Sequence, residues 1–305
     1  MKKLLILSAV LILAAAPAFA YQVNYTNDSF EVPLYAPASA PLTAQNGWVL
    51  PVLANNVSAD VVSRISNPGT PIFSGAQAAK QSRFVPPGTS RISANAKDMR
   101  YLSGGWIYYR GWAKCWMYDE GAKAGTAIKQ DSRFGVYSST GNNNIGYMFT
   151  SQIQDSRAGT NWWAQWSYSP IEMNGVSPAP ATGYTFTAGP AAPRVFNAWS
   201  YTIISWAFTY PDPRNLDGPG SGVIKWYVNQ SSINPNLTLN FDNNTARWAG
   251  SNDIAGMFIG ALYAQTVPGS FDKLEFHGDA IPEPSSLLAF GTGLIGFVGL
   301  ARRRR

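Results

Sequence analysis

Apolar and polar positions alternate along most of this chain in short runs, separated by stretches rich in glycine, proline, asparagine and aspartate. The runs with the clearest strand character are Asp60–Ser66, Trp106–Tyr118, Arg133–Ser138, Ile145–Thr150, Trp162–Tyr168, Trp199–Tyr210, Val223–Asn229, Ile254–Ala264 and Phe271–Phe276. Turn-rich pieces such as Asp212-Pro213-Arg214-Asn215-Leu216-Asp217-Gly218-Pro219-Gly220 divide them. Many short strands joined by such turns predict an all-β sandwich. Ile254–Ala264 also fits a short helix, because its small residues leave the period ambiguous. Proline-rich Ser177–Pro193 reads as a loop within one continuous body.

The two ends depart from this pattern. Lys2 and Lys3 precede an apolar stretch, Leu4 to Ala16, that only Ser8 interrupts, and Ala18-Phe19-Ala20 gives a small-x-small site. That is a secretory signal, with cleavage by signal peptidase expected after Ala20. At the other end, Ile281-Pro282-Glu283-Pro284-Ser285-Ser286 leads into an uncharged stretch, Leu287 to Ala301, and then Arg302, Arg303, Arg304 and Arg305. As a helix, Ser285 to Ala301 spans ~25 Å, slightly short of a ~30 Å hydrocarbon core. Its glycines (Gly291, Gly293, Gly296 and Gly299) are tolerated in a membrane, and the arginines favour the cytoplasmic side. The expected organisation is a signal peptide over 1–20, a β-sandwich body over 21–280 and a terminal sorting segment over 281–305. The body lies outside, tethered by its C-terminus.

Charge changes meaning once the ends are set apart. Of 23 Lys and Arg and 17 Asp and Glu, six basic residues (Lys2, Lys3, Arg302–Arg305) and one acidic residue (Glu283) lie in the ends. Residues 21–281 keep 17 basic and 16 acidic side chains, a net of +1 rather than +6. No basic patch remains to recruit nucleic acid. Abundant Trp, Tyr, Asn, Ser, Thr and Gly suit strands and turns. Cys115 has no second cysteine to pair with and reads as a small buried hydrophobe.

The C-terminal segment resembles the PEP-CTERM sorting signal of Gram-negative bacteria. Pro282, Glu283 and Pro284 match its motif, Leu287 to Leu300 its hydrophobic helix, and Arg302 to Arg305 its arginine cluster. The resemblance implies processing by an exosortase, transient membrane anchoring, and release to the cell surface or the extracellular polysaccharide matrix, as in a biofilm. A permanent tail anchor is the alternative. The body resembles concanavalin-like jelly-roll domains of exported bacterial proteins. The matching pieces are Phe30-Glu31-Val32-Pro33 as an opening strand, Leu42-Thr43-Ala44-Gln45-Asn46-Gly47-Trp48 as a turn, and Ser74-Gly75-Ala76-Gln77-Ala78-Ala79 leading into the next strand. Trp199 to Asn229 is similar to a late hairpin and Phe271–Phe276 to the closing strand. Ala44 stands where those domains often carry glycine.

Catalytic chemistry finds few tools here. His277 is the only histidine, expected at the surface after the last strand, so a two-histidine zinc site is impossible. The Glu-x-Asp-x-x-Glu strand of jelly-roll glucanases is absent. Asp119 and Glu120, and likewise Asp272 and Glu275, are expected on opposite faces of their strands. No catalytic residue and no cofactor is therefore expected, with hydrolase or lyase activity a minor alternative. Asp28, Glu31 and Asp272 are candidate ligands for a structural calcium ion if first and last strands adjoin. Solvated strand-end carboxylates are the simpler reading.

The aromatic pattern gives the functional hint. On one extended strand, Trp106, Tyr108, Arg110, Trp112, Lys114, Trp116 and Tyr118 share a face, and Ile107, Tyr109, Gly111, Ala113, Cys115 and Met117 share the other. Buried cations without partners are costly, so the second set meets the core. Indole and phenol rings beside Arg and Lys suit polysaccharide. Trp162, Trp163, Trp166 and Tyr168 offer more of the same. The same residue types also fill sandwich cores. The expectation is an exported, non-catalytic, polysaccharide-associated protein. A structural or protein-interaction component without a ligand is the alternative.

Overall fold

The alternating runs pair into two antiparallel sheets packed face to face. The computed structural model describes residues 21–26, 30–31, 33–36, 40–42, 45–49, 59–63, 70–81, 93–103, 107–120, 131–139, 145–154, 161–171, 185–187, 192–209, 221–230, 233–241, 254–261 and 269–281. Thus 1–20 (with Ala18 and Ala20), Asp28, Trp106, and 282–305 with Pro282, Glu283, Pro284 and Arg302 to Arg305 lie outside the described residues.

Among the described residues, one sheet has nine strands. It contains β1 (Tyr21–Thr26), β2 (Ala40–Pro41), β4 (Ala59–Ser63), β5 (Gln77–Gln81), β7 (Ile107–Asp119), β13 (Ala198–Thr209), β14 (Ser221–Val228), β15 (Leu237–Phe241) and β17 (Ser270–Ile281). The other has eight: β3 (Trp48–Val49), β6 (Ser93–Asp98), β8 (Asp131–Ser139), β9 (Ile145–Gln154), β10 (Asn161–Ile171), β11 (Thr185–Thr187), β12 (Ala192–Pro193) and β16 (Gly256–Ala261). This is a jelly-roll β-sandwich. Strands β7 and β17 lie side by side near the middle of the first sheet, flanked by β13 and β5. Strand β1 pairs with β17, so the first and last strands of the sandwich adjoin. Within Ile254–Ala264, Gly256–Ala261 forms strand β16.

The opening segment differs from expectation. Phe30 is in a turn with φ 57°, not a strand, and its ring is buried against Tyr35 and Trp48. The Gln45–Trp48 turn does form: Asn46 and Gly47 take φ 44° and 77°, and the Trp48 amide donates to the Gln45 carbonyl at 2.9 Å. Asparagine followed by glycine supplies two left-handed residues at little cost.

Between the sheets lie Phe134, Val136, Phe149, Ile153, Ile204, Trp226, Met257, Ile259 and Phe276. Polar ties cross this core. The Trp226 indole donates to Ser151 Oγ at 2.8 Å, and Thr202 Oγ1 meets the same hydroxyl at 2.8 Å. Such ties satisfy buried groups and fix how one sheet sits on the other.

Candidate functional site

The outer face of the nine-stranded sheet carries the aromatic row over Arg110 to Tyr118, with one change at Tyr108. From Arg110 to Tyr118 the alternation holds. Ala113, Cys115 and Met117 are buried in the core, Trp112, Lys114, Trp116 and Tyr118 are half-buried on the other face, and Arg110 is exposed. Tyr108 breaks the row. Arg110 pairs with Asp279 but Tyr108 with Ala280, so Tyr109 is an extra residue and the strand bulges there. The bulge turns Tyr108 into the core, where its hydroxyl donates to the Met99 carbonyl at 2.6 Å and its ring meets Phe276 edge-on at 4.9 Å. Tyr108 is therefore no surface residue.

A second bulge lies in β17. Asp272 pairs with Trp116 and Glu275 with Lys114, which leaves Lys273 extra at φ 48°. This corrects the expectation for the two carboxylates: the bulge puts both on the outward face. Both are engaged. Asp272 accepts the Phe73, Ser74 and Lys273 amides at 2.9, 3.1 and 2.8 Å, and Glu275 pairs with Lys114 at 3.3 Å.

The segment 70–76 lies over one end of this face. Its Phe73 ring stacks on Trp116 at 3.8 Å, and Trp199, Tyr201 and Tyr118 complete the cluster. Glu31 Oε1 accepts the Ala76 and Gln77 amides at 2.5 and 2.9 Å, so Glu31 and Asp272 pin opposite ends of one segment. Those amides engage one oxygen of Glu31 and both of Asp272. Among the described residues no three His, Cys, Asp or Glu side chains group as a metal site.

The other end is more open. His277 lies inside β17 rather than beyond it, opposite Trp112, and the two rings are parallel at 5.7 Å and 3°. Gln22 Nε2 meets His277 Nε2 at 2.9 Å. Lys114 Nζ sits 5.3 Å from the Tyr201 ring centre, and Arg110 flanks Trp112. Burial first, then Glu120 and Asp119, raise the Tyr118 phenol, which keeps it a donor. Trp162 and Trp166 do not join this surface. They lie on β10 of the other sheet, opposite Ile153 and Phe149.

Asp119 is buried and takes a two-pronged contact from Arg194 at 2.6 and 2.7 Å. Cys115 is fully buried, and burial, then Asp272, push its thiol well up.

The family comparison concerns the segment after β17. Residues 280–305 match the PEP-CTERM protein-sorting motif. The chain carries a PEP-CTERM sorting signal. This signal marks an exosortase-processed extracellular protein, exported to the cell envelope or surface of a Gram-negative bacterium. It begins where β17 ends, so the sorting motif follows a central strand with no linker. Among the described residues no helix is long and apolar enough to cross a membrane. Comparison with curated proteins gives no match.

Solved structures align with this chain at low identity. An endo-β-1,4-glucuronan lyase from the fungus Trichoderma reesei aligns at TM-score 0.44 and 14% identity, over 84% of this chain and 94% of the lyase. A PL-14 alginate lyase from Aplysia kurodai aligns at TM-score 0.41 and 13% identity, over 72% and 86%. Domain 4 of an extracellular arabinanase from Geobacillus stearothermophilus, in complex with arabinotriose, aligns at TM-score 0.32 and 15% identity, over 79% and 98%.

Proposed function

We propose that this PEP-CTERM protein binds extracellular polysaccharide, without catalysis or cofactor, through the outer face of its nine-stranded sheet. Export through the signal peptide, transient anchoring by the helix over 287–300 and exosortase cleavage deliver the body to the surface or matrix. The observation that carries the reading is the parallel Trp112–His277 pair between Arg110 and Lys114. Parallel rings offer an apolar platform for the C–H face of a sugar, while guanidinium, ammonium and imidazole groups reach its hydroxyl or acid groups. Trp116 contributes less, because Phe73 already occupies one face of its ring.

The carboxylates support a non-catalytic role. Glu31 and Asp272 hold backbone amides, and Asp98, Asp119 and Glu275 pair with Arg100, Arg194 and Lys114. Glycan-array binding of the full-length protein in detergent tests the reading: retention on bacterial polysaccharides is expected, and release of reducing ends is not. No retention on any of them would sink the proposal. A ligand-free structural component is favoured by one observation, the Phe73–Trp116–Trp199 cluster, in which the rings pack on one another. Filament or oligomer formation without glycan would support that second reading.

A further inference from the structure

The Trp112–His277 platform ends in polar groups that the fold itself does not engage. Arg110 and Asp279 face each other across β7 and β17, on the same outward side as the two rings. Gln22 of β1 lies opposite Asp279 on its other flank. Between the two rows Gly111 faces Gly278, and a Cβ at Gly111 would come within 3.0 Å of the Gly278 Cα. The two backbones therefore run close together beneath the site. The bulge at Tyr109 lies one residue before Arg110, and bulges re-aim the side chains beside them.

Opposite charges directly across a ladder ordinarily pair. Among the described residues Arg110 and Asp279 nevertheless form no ion pair and no side-chain hydrogen bond. The Arg110 guanidinium lies 5.7 Å from the Tyr109 ring centre. The Gln22 amide nitrogen meets His277 Nε2 at 2.9 Å, which leaves its carbonyl oxygen for another donor. Beyond Trp112 the charges are satisfied, because Lys114 is bridged to Glu275 at 3.3 Å. Arg110 and Lys114 are thus matched in number by Asp279 and Glu275, so the strands carrying the platform bring no net charge to it. Lys225 shares the row of Trp112 through Ser205, but two strand spacings, ~10 Å, put it about one Debye length away.

We propose that Arg110 and Asp279 clasp neighbouring hydroxyls of a neutral sugar seated on Trp112 and His277, and that Asp279 sets a preference for neutral over acidic polysaccharide. This rests on the reading of the Trp112 face as a polysaccharide surface. A carboxylate only accepts hydrogen bonds, so Asp279 needs a ligand group that brings protons. A hydroxyl brings one, and its oxygen accepts from Arg110 at the same time. A uronate carboxylate brings none and meets Asp279 as a like charge. Arg110 alone would attract a uronate; Asp279 facing it cancels that attraction. Alternate positions on one strand face are ~7 Å apart, so a sugar ring over Trp112 and His277 presents its edge to Arg110 and Asp279. The Gln22 carbonyl adds a further acceptor on the same rim.

Calorimetric titration of the full-length protein in detergent tests the assignment with oligomers of glucose, mannose and galactose. Each is paired with the uronate oligomer of the same linkage and length, which differs only in carrying a carboxylate for the hydroxymethyl group. At least one neutral oligomer should bind, about tenfold or more tighter than its uronate partner. Asp279→Asn should weaken neutral binding about tenfold and bring the pair within about threefold of each other. Tm should not change, because the carboxylate has no partner in the fold to lose. Asp279→Ser carries the same expectation should Asp279→Asn fold poorly. A uronate that binds as tightly as its neutral partner, no binding of any neutral oligomer, or unchanged affinity and preference in the Asp279 variants overturns the proposal. Trp112→Ala separates it from the reading beneath it. Binding lost in Trp112→Ala but unaltered in the Asp279 variants would remove the clasp and leave the polysaccharide surface; binding unaltered in Trp112→Ala would remove both.

Discussion

Asp119 and Arg194 meet in the interior at the end of β7, with side chains 1% and 0% exposed. Neither charge has access to water, and the two hydrogen-bond to each other. Asp119→Asn removes one charge of a buried, hydrogen-bonded pair and should cost about 3–5 kcal/mol, read from denaturant midpoints. Cys115 makes a simpler prediction. Its buried, raised thiol should ignore Ellman's reagent in the native protein and react fully once the protein is unfolded. Lys97 gives a pH dependence. It is buried between Tyr25 and Trp48, donates to the Asn46 carbonyl, and burial lowers its pKa to about 7. An unfolded lysine titrates near ~10.4, so between about 7 and that value the unfolded chain binds the extra proton. Stability should therefore rise with pH across that window, by at most ~1.4 kcal/mol per unit, and stay flat on either side. Lys97→Met should abolish the rise in urea titrations, whereas an unchanged slope would remove Lys97 as its cause.

Strands and bulges set what those residues can do. Asp272 anchors 70–76 through two amides, so Asp272→Ala should cost about 2–3 kcal/mol and speed amide exchange at Phe73 and Ser74. Unchanged exchange would mean that the Phe73–Trp116 stack holds the segment alone. At this scale the sequence was legible wherever β-branched or aromatic residues alternate. Strands β7, β8, β9, β10, β13, β14, β16 and β17 all fall on runs read from the pattern. Strands β5 (Gln77–Gln81) and β6 (Ser93–Asp98) were not, because alanine, glutamine, asparagine and lysine have little strand preference of their own and pair through tertiary context. The bulges at Tyr109 and Lys273 were equally hidden, since a register shift exists only between two strands. That is why the row from Arg110 to Tyr118 was readable and Tyr108 was misplaced. The Phe73 cover on Trp116 comes from a contact distant in sequence, which alternation does not encode.

For the whole molecule, the decisive pairing is between the two ends of the body. Tyr21 lies opposite Ala280 in the β1–β17 ladder, so the residue after the expected signal-peptide site neighbours the start of the PEP-CTERM match. Facing residues of antiparallel strands have Cα atoms ~4.5–5.5 Å apart, within reach of a disulfide. Tyr21→Cys with Ala280→Cys, in a Cys115→Ala background, should oxidise to an intramolecular bridge, and failure to do so would displace β1 from β17. Two outward sheet faces then remain, that of the nine-stranded sheet, with Arg110 exposed beside parallel rings, and that of the eight-stranded sheet. The central claim is that the first face binds polysaccharide through Trp112. Affinity electrophoresis of full-length protein and its Trp112→Ala variant through gels containing bacterial extracellular polysaccharide tests it most directly. The account predicts retardation of the wild type and about tenfold weaker retardation of the variant at equal Tm. Equal mobility of the two proteins in every such gel would contradict it.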